Sequence, residues 1–382
     1  MRFRDFLFLW FFGLGSFVFY PAQAAALDIP DYLALREQAA KIAASLDDAS
    51  LAGQVLLAGI DGKTALAPAM RTLLERIPAG GIMLFRPNLD SSKDDVKNLL
   101  TQAAALISGK CGIPPFMAVD HEGGLVHRFA GVAEKLPSAY FFWELAQREG
   151  RAAALSRAET LYTRSAREIR ELGITMVLGP VAEILNEDNR IFLETRSYGP
   201  DPDFTRAAAS VYIESFDAAG IASCLKHFPG NTATDPHSGI PRLQAGKEAL
   251  DEMVKPFAQI IRDLSPAAVM LSHVMVVAMD RNPASLSEKV IVLWLRGELG
   301  FQGITLADDF SMAAAASSGL SLSAAAVKAL NSGVDLIMTW PRNLSASHAA
   351  ILEALKDGRL SRERLREAAQ RIIAEKIRYG MM

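Results

Sequence analysis

Eight short runs of nearly unbroken apolar character punctuate the chain, at 54–57, 81–85, 115–119, 174–178, 222–225, 267–271, 304–307 and 335–339. A strand with one wet face alternates apolar and polar residues. These runs do not, so each predicts a strand buried on both faces, as in a parallel sheet. Between them lie Ala-rich amphipathic stretches at 94–107, 151–172, 204–219, 247–264 and 322–332, with a further one at 32–46, and these predict helices. The tail at 361–379 predicts a last helix, with Ser361 as its cap and Leu365, Ile372 and Ile373 on its core face. A strand–helix alternation of this length is an α/β pattern and favours a closed barrel over an open sheet, although periodicity does not by itself show closure. No repeat, low-complexity run or linker interrupts residues 25–382, which predicts a single domain there.

The N-terminus breaks the pattern. Arg2 and Arg4 precede an apolar segment at 6–20 and then Pro21-Ala22-Gln23-Ala24-Ala25. Charged start, apolar middle and small residues around an A-x-A site predict a secretory signal over 1–24. The apolar run is short of the roughly 20 residues a spanning helix needs. The expectation is an exported protein, periplasmic or secreted, with no membrane association once the signal is cut.

Composition narrows the partners. A net charge of −3 and a pI near 6.1 leave no basic footprint, so no nucleic acid is expected. The only cysteines, Cys111 and Cys224, each stand where a strand is expected to start. Two separately buried thiols are the expectation, with a pairing between them left open. No Cys/His zinc spacing occurs, and no cofactor or metal is implied.

The chemistry gathers where the apolar runs end. Asp120-His121-Glu122-Gly123-Gly124 follows one strand, Ala182-Glu183 another, and Lys226-His227, Ser272-His273 and Asp308-Asp309 terminate three more. Polar residues at the C-terminal ends of several strands are where a (β/α)8 barrel carries its active site. Five of the six histidines (His121, His127, His227, His237 and His273) fall in these stretches or within ten residues after them, and only His348 lies in a plain helical segment, where a surface position is expected. Gly123-Gly124 predicts a tight turn. His121, Glu122 and His127 have the residue types of a metal site, but their spacing reads as strand to turn.

Retaining cleavage of a glycosidic bond needs a nucleophile and an acid for the leaving oxygen. Asp308, at the end of GITLA, suits the nucleophile, and Asp309 is the better candidate for capping the turn that follows. His237 can supply the proton, with Asp235 two residues away to accept its other ring N–H. Lys226 and His227 also have a structural reading, as an ion pair with Glu183.

The motifs KHFPG followed by D-x-H, DHEGGLVHRF (120–129), TRSYG (195–199), MLSHVMV (270–276) and ADDFSM (307–312) together resemble the family 3 glycoside hydrolases. The likeness is nearest to their single-domain β-N-acetylglucosaminidase branch and runs in order over essentially the whole chain after the signal. It implies a TIM barrel and retaining hydrolysis through a covalent glycosyl-aspartate. It further implies Asp308 as nucleophile, His237 as acid/base with Asp235 as its partner, and Asp120, Arg128, Arg196, Lys226 and His227 as ligands of the terminal sugar. His273 is left between a substrate contact and a residue packed behind the site.

Three departures from the family pattern stand out. The loop between KHFPG and D-x-H is short and carries Asn231-Thr232, Pro236 replaces the usual serine and removes an N–H, and Ala182-Glu183 stands where an aspartate pair or Val-Asp is usual. The second domain that supplies a glutamate acid in family 3 β-glucosidases is not expected after the barrel, so the D-x-H acid is expected to act and to favour N-acetylglucosamine substrates, peptidoglycan-derived or chitin-type. Phosphorolysis of the same glycosides, a β-glucosidase-like activity, and a catalytically impaired sugar-binding protein are the other readings of these residues.

Overall fold

Each of the eight apolar runs forms a strand. They are β1 (Leu56–Gly59), β2 (Gly81–Leu84), β3 (Phe116–Gly123), β4 (Met176–Leu178), β5 (Ala222–Phe228), β6 (Ala268–Leu271), β7 (Ile304–Ala307) and β8 (Leu336–Thr339). The computed structural model describes residues 29–129, 131–234, 239–311 and 319–382. The signal expected at 1–24 and the pair Asp235 and His237 lie outside them. Each strand pairs in parallel with the next, and β8 closes on β1 with Leu56 opposite Ile337. The result is a closed (β/α)8 barrel. Apart from Asp120 the strand residues are buried on both faces, which is why the runs do not alternate.

The helices pack around the barrel and start on side-chain caps. Ser92 accepts from the N–H of Asp95, Ser138 from Phe141, Asp201 from Phe204, Ser321 from Ala324 and Ser361 from Arg364. Several helices that the periodicity did not predict are present, among them Pro68–Arg76, Ala139–Glu149 and Pro341–Lys356. Pro68 and Pro341 read as breakers in sequence, yet at the first helical position a proline's fixed φ is already helical.

Three expectations need correction. β1 starts two residues later than the run suggests, because Gln54 ends the helix Asp48–Gln54 and turns its side chain to Lys376. Cys111 closes the helix Lys93–Cys111, stopped by Gly112 at φ 72°, instead of opening a strand, and both thiols are free. His348 is buried, with 8% of its surface exposed, because its helix face packs on Asp48–Gln54 and its Nε2–H donates to the Ala49 carbonyl at 2.9 Å.

The N-terminal mouth of the barrel is tied shut by charge. Asp335, just before β8, meets Arg296 at 2.5 Å, Arg364 at 3.0 Å and Arg371 at 3.3 Å. Its carboxylate also accepts from the Thr305 N–H and hydroxyl. Burial pushes this carboxyl up, but the three guanidiniums outweigh it and hold it at about 2. Nearby, the fully buried Lys376 ammonium reaches Gln54 Oε1 at 2.8 Å and lies over the Phe116 ring. No described helix is long and apolar enough to cross a membrane.

Candidate active site

At the opposite mouth the C-terminal ends of the strands surround a hollow of about 470 Å³. Asp120, Arg128, Arg196, Lys226, His227 and Asp308 all line it. Six of the eight catalytic and sugar-binding residues expected from sequence thus share one cavity, although 188 positions separate Asp120 from Asp308.

Strand geometry explains the acidic side. Residues two apart on a strand face the same way, so Asp120 and Glu122 on β3 both turn to the cations on neighbouring elements. Lys226 Nζ lies 3.0 Å from Asp120 Oδ1 and 2.6 Å from Glu122 Oε1. Arg196 grips Glu122 through two nitrogens, at 2.7 and 2.9 Å, and Arg128 reaches Asp120 Oδ2 at 3.1 Å. Burial alone pushes both carboxyls up, but Lys226 with Arg128 holds Asp120 below its ordinary value, and Lys226 with Arg196 holds Glu122 far below. Burial likewise pulls the Lys226 ammonium down, and Asp120 and Glu122 more than offset it. Asp120, Glu122 and Lys226 are therefore ionised at neutral pH. Glu122 is the hub that sequence reasoning passed over; its place two residues after Asp120 was the available signal.

The turn after β3 lets Arg128 come back over the hollow. Gly123 and Gly124 have φ of 85° and 55°, and a Cβ on Gly123 would stand 2.1 Å from the Pro137 carbonyl oxygen. His121 points away from the cavity: its Nε2 pairs with Ser165 Oγ at 2.7 Å, and burial takes its pKa down to about 3. Glu122 is taken up by Lys226 and Arg196, so the three types that suggested a metal do not converge.

Near the end of β5 stand Lys226 and His227, whose side chains part company. Lys226 goes to β3, whereas His227 Nδ1–H donates to Glu183 Oε1 at 2.7 Å, leaving Nε2 toward Arg196 at 3.4 Å. Asn231 Nδ2 also donates to Glu183 Oε1, at 2.9 Å. Two departures from the family pattern, Glu183 and Asn231, are thus joined through one oxygen.

Asp308 follows β7, and its Oδ1 accepts the Asp309 N–H at 2.8 Å. Asp309 serves the turn: its carboxylate takes the Ser311 N–H and hydroxyl and the Trp340 indole N–H. His273 sits behind this turn. Its Nε2–H donates to the Asp309 carbonyl at 3.0 Å, and Nδ1 pairs with the Ser285 hydroxyl at 2.7 Å. Burial lowers its pKa against the pull of Asp308, so the ring is neutral and its tautomer is set by those partners. Met83, Met270 and Met338 add apolar lining to the hollow, and Phe85 and Trp340 wall one side of it.

A closed barrel with a carboxylate- and cation-lined hollow at its C-terminal mouth has the hollow where a TIM-barrel enzyme carries its active site. The chain belongs to glycosyl hydrolase family 3: residues 50–374 match the glycosyl hydrolase family 3 N terminal domain. It is 31% identical over 314 residues to a beta-hexosaminidase of Xanthomonas oryzae pv. oryzae, covering 80% of this chain and 89% of that one. Beta-hexosaminidase A of Pseudoalteromonas piscicida is 27% identical over 334 residues, 81% of this chain but 55% of its own length. A family 3 beta-N-acetylglucosaminidase from Paenibacillus sp. str. FPU-7 superposes with a TM-score of 0.82 at 30% identity, over 88% of this chain and 63% of that one. This chain therefore spans about half of the Pseudoalteromonas relative and under two thirds of the Paenibacillus protein.

Proposed function

We propose that the protein is a retaining exo-β-N-acetylglucosaminidase that removes terminal N-acetylglucosamine from oligosaccharides. The observation that carries this reading is the cavity that brings Asp308 together with Asp120, Arg128, Arg196, Lys226 and His227. Ionised carboxylates, an ammonium and guanidiniums give charge-assisted hydrogen bonds to sugar hydroxyls. Held there, the sugar presents its anomeric carbon to Asp308, which attacks as the bond to the leaving oxygen breaks. In this reading His237, partnered by Asp235, protonates the leaving oxygen and then takes a proton from the water that releases the sugar. The family resemblance supports those two roles. The order of charge, apolar run and A-x-A residues at 1–25 supports export to the periplasm or beyond.

A panel of aryl glucosaminide, glucoside and xyloside substrates tests the activity. The expected result is release from the N-acetyl-β-glucosaminide above the others, with Asp308→Ala lowering kcat by at least about a thousandfold. Sugar binding without turnover of any aryl glycoside, or full activity in Asp308→Ala, would overturn the reading.

A further inference from the structure

Behind the cavity wall stands a carboxyl group that the proposed chemistry does not use. Glu183 follows β4 and is buried, with 2% of its surface exposed, behind the residues that line the main hollow. Backbone pairing sets its place. The Lys226 N–H donates to the Pro180 carbonyl at 3.0 Å and the Ala182 N–H to the Lys226 carbonyl at 2.7 Å, so this segment runs beside β5. The Ser197 hydroxyl donates to the Glu183 carbonyl at 2.6 Å. The Glu183 side chain is thereby brought against His227.

Two neighbours fix that imidazole from opposite sides. Glu183 Oε1 lies 2.7 Å from Nδ1, and a carboxylate oxygen there calls for a proton on Nδ1. Arg196 Nη2 lies 3.4 Å from Nε2, and a guanidinium only donates, so Nε2 is left bare. Both contacts demand the same tautomer. Nε2 therefore keeps its lone pair on the side of the cavity that His227 lines. Without such partners an imidazole offers an N–H there as readily as a lone pair.

Asn231 completes the bracket. Its Nδ2 donates to the same Glu183 oxygen at 2.9 Å, which holds the carboxyl from a second direction. Asn231 is buried too, and the Ser272 hydroxyl ties down the carbonyl of the adjacent Gly230 at 2.9 Å. Glu183 and Asn231 both depart from the family pattern, and a bracket built from two departures is this chain's own.

Resting on the reading of His227 as a sugar ligand, we infer that Glu183 and Asn231 are positioning residues that hold His227 in its Nδ1–H tautomer. His227 then meets the sugar as a hydrogen-bond acceptor. The group it selects is a donor, a ring hydroxyl beside the Arg196 guanidinium.

The test reads the ring itself. In the full chain with isotope-labelled histidine nitrogens, magnetic resonance distinguishes the two neutral tautomers, and a His227→Asn variant identifies the signals of residue 227. At about pH 8, above the ordinary histidine range, His227 is expected in the Nδ1–H form. Glu183→Met is expected to convert it to a mixture or to the Nε2–H form. The same variant is expected to lower kcat/KM for an aryl N-acetyl-β-glucosaminide by about tenfold or more. In Glu183→Gln the amide oxygen still accepts from Asn231 and from Nδ1–H, so most of that loss is expected to be recovered. Adding Asn231→Ala to Glu183→Gln frees the amide to turn and is expected to bring the loss back. A Glu183→Met protein that loses activity while keeping the Nδ1–H form would overturn the inference. So would an Nε2–H or doubly protonated ring in the unmodified protein, a result that needs no variant to fold. Absence of aryl hydrolysis in the unmodified protein would instead overturn the glucosaminidase reading, and the ring signals would still decide what Glu183 does.

Discussion

At the C-terminal mouth of the barrel a lysine sits among carboxylates, and at the N-terminal mouth a carboxylate sits among arginines. Lys226 holds Asp120 and Glu122, with Arg128 and Arg196 outside them. Asp335 holds Arg296, Arg364 and Arg371. Both central side chains are withdrawn from water, at 2% and 0% exposure. The difference lies in what else the groups touch. Asp335 is closed off by Thr305 as well as by its arginines and has no surface left to offer. Asp120 and Arg128 keep 17% and 35% of their side-chain surface open, and both line a cavity. Buried charge is therefore not in itself the mark of a site. A network whose partners are all internal is a clasp, and one that keeps an open edge can exchange a partner for a ligand.

That contrast can be broken by mutation. Asp335→Ala leaves three guanidiniums without their common partner and is expected to cost about 3–5 kcal/mol in urea unfolding. Turnover per folded molecule should change little, and a large fall in kcat with unchanged stability would reverse the assignment of clasp and site. Glu122→Gln keeps the shape at the other mouth but removes the charge that Lys226 and Arg196 share. It is expected to lower kcat/KM by roughly a hundredfold, about 2.7 kcal/mol at the transition state. Its effect should fall more heavily on kcat/KM than on the unfolding midpoint.

A third effect, spread over pH, concerns Lys376, the amine beneath the barrel floor. Burial pulls its pKa down to about 7, against about 10.4 for a lysine in water. Between those values the unfolded chain carries a proton that the folded chain does not, so this residue makes stability rise with pH. Its contribution is expected to approach ~1.4 kcal/mol per pH unit from about 7 to about 10.4. Lys376→Met should flatten that rise when wild type and variant are unfolded in urea at several pH values across this window. Parallel curves would show that the folded amine keeps its proton.

Much of this was legible in the sequence because it is local. Apolar runs without alternation gave all eight strands, since both faces of a barrel strand are dry, and the polar residues just past them gave most of the cavity lining. Closure, which periodicity leaves open, rests on the pairing of β1 with β8, some 280 residues away in the chain. Glu122 was missed because its importance comes from Lys226 and Arg196, neither near it in sequence. His348 was misplaced because the helix it packs on is seven residues long and carries no periodic signal. Phe85 and Trp340 lie 255 positions apart, and no local pattern announces that their rings will stack.

The account turns on Asp308 forming a bond to the sugar. A fluorinated N-acetylglucosaminyl fluoride, which slows release of the glycosyl-enzyme, gives the most direct measurement when intact mass and peptide mapping follow it. The account predicts a gain of one glycosyl unit per chain, on the peptide containing Asp308, and none in Asp308→Ala. Label on Asp309 or Glu122, or turnover with inversion at the anomeric carbon and no label, would contradict it.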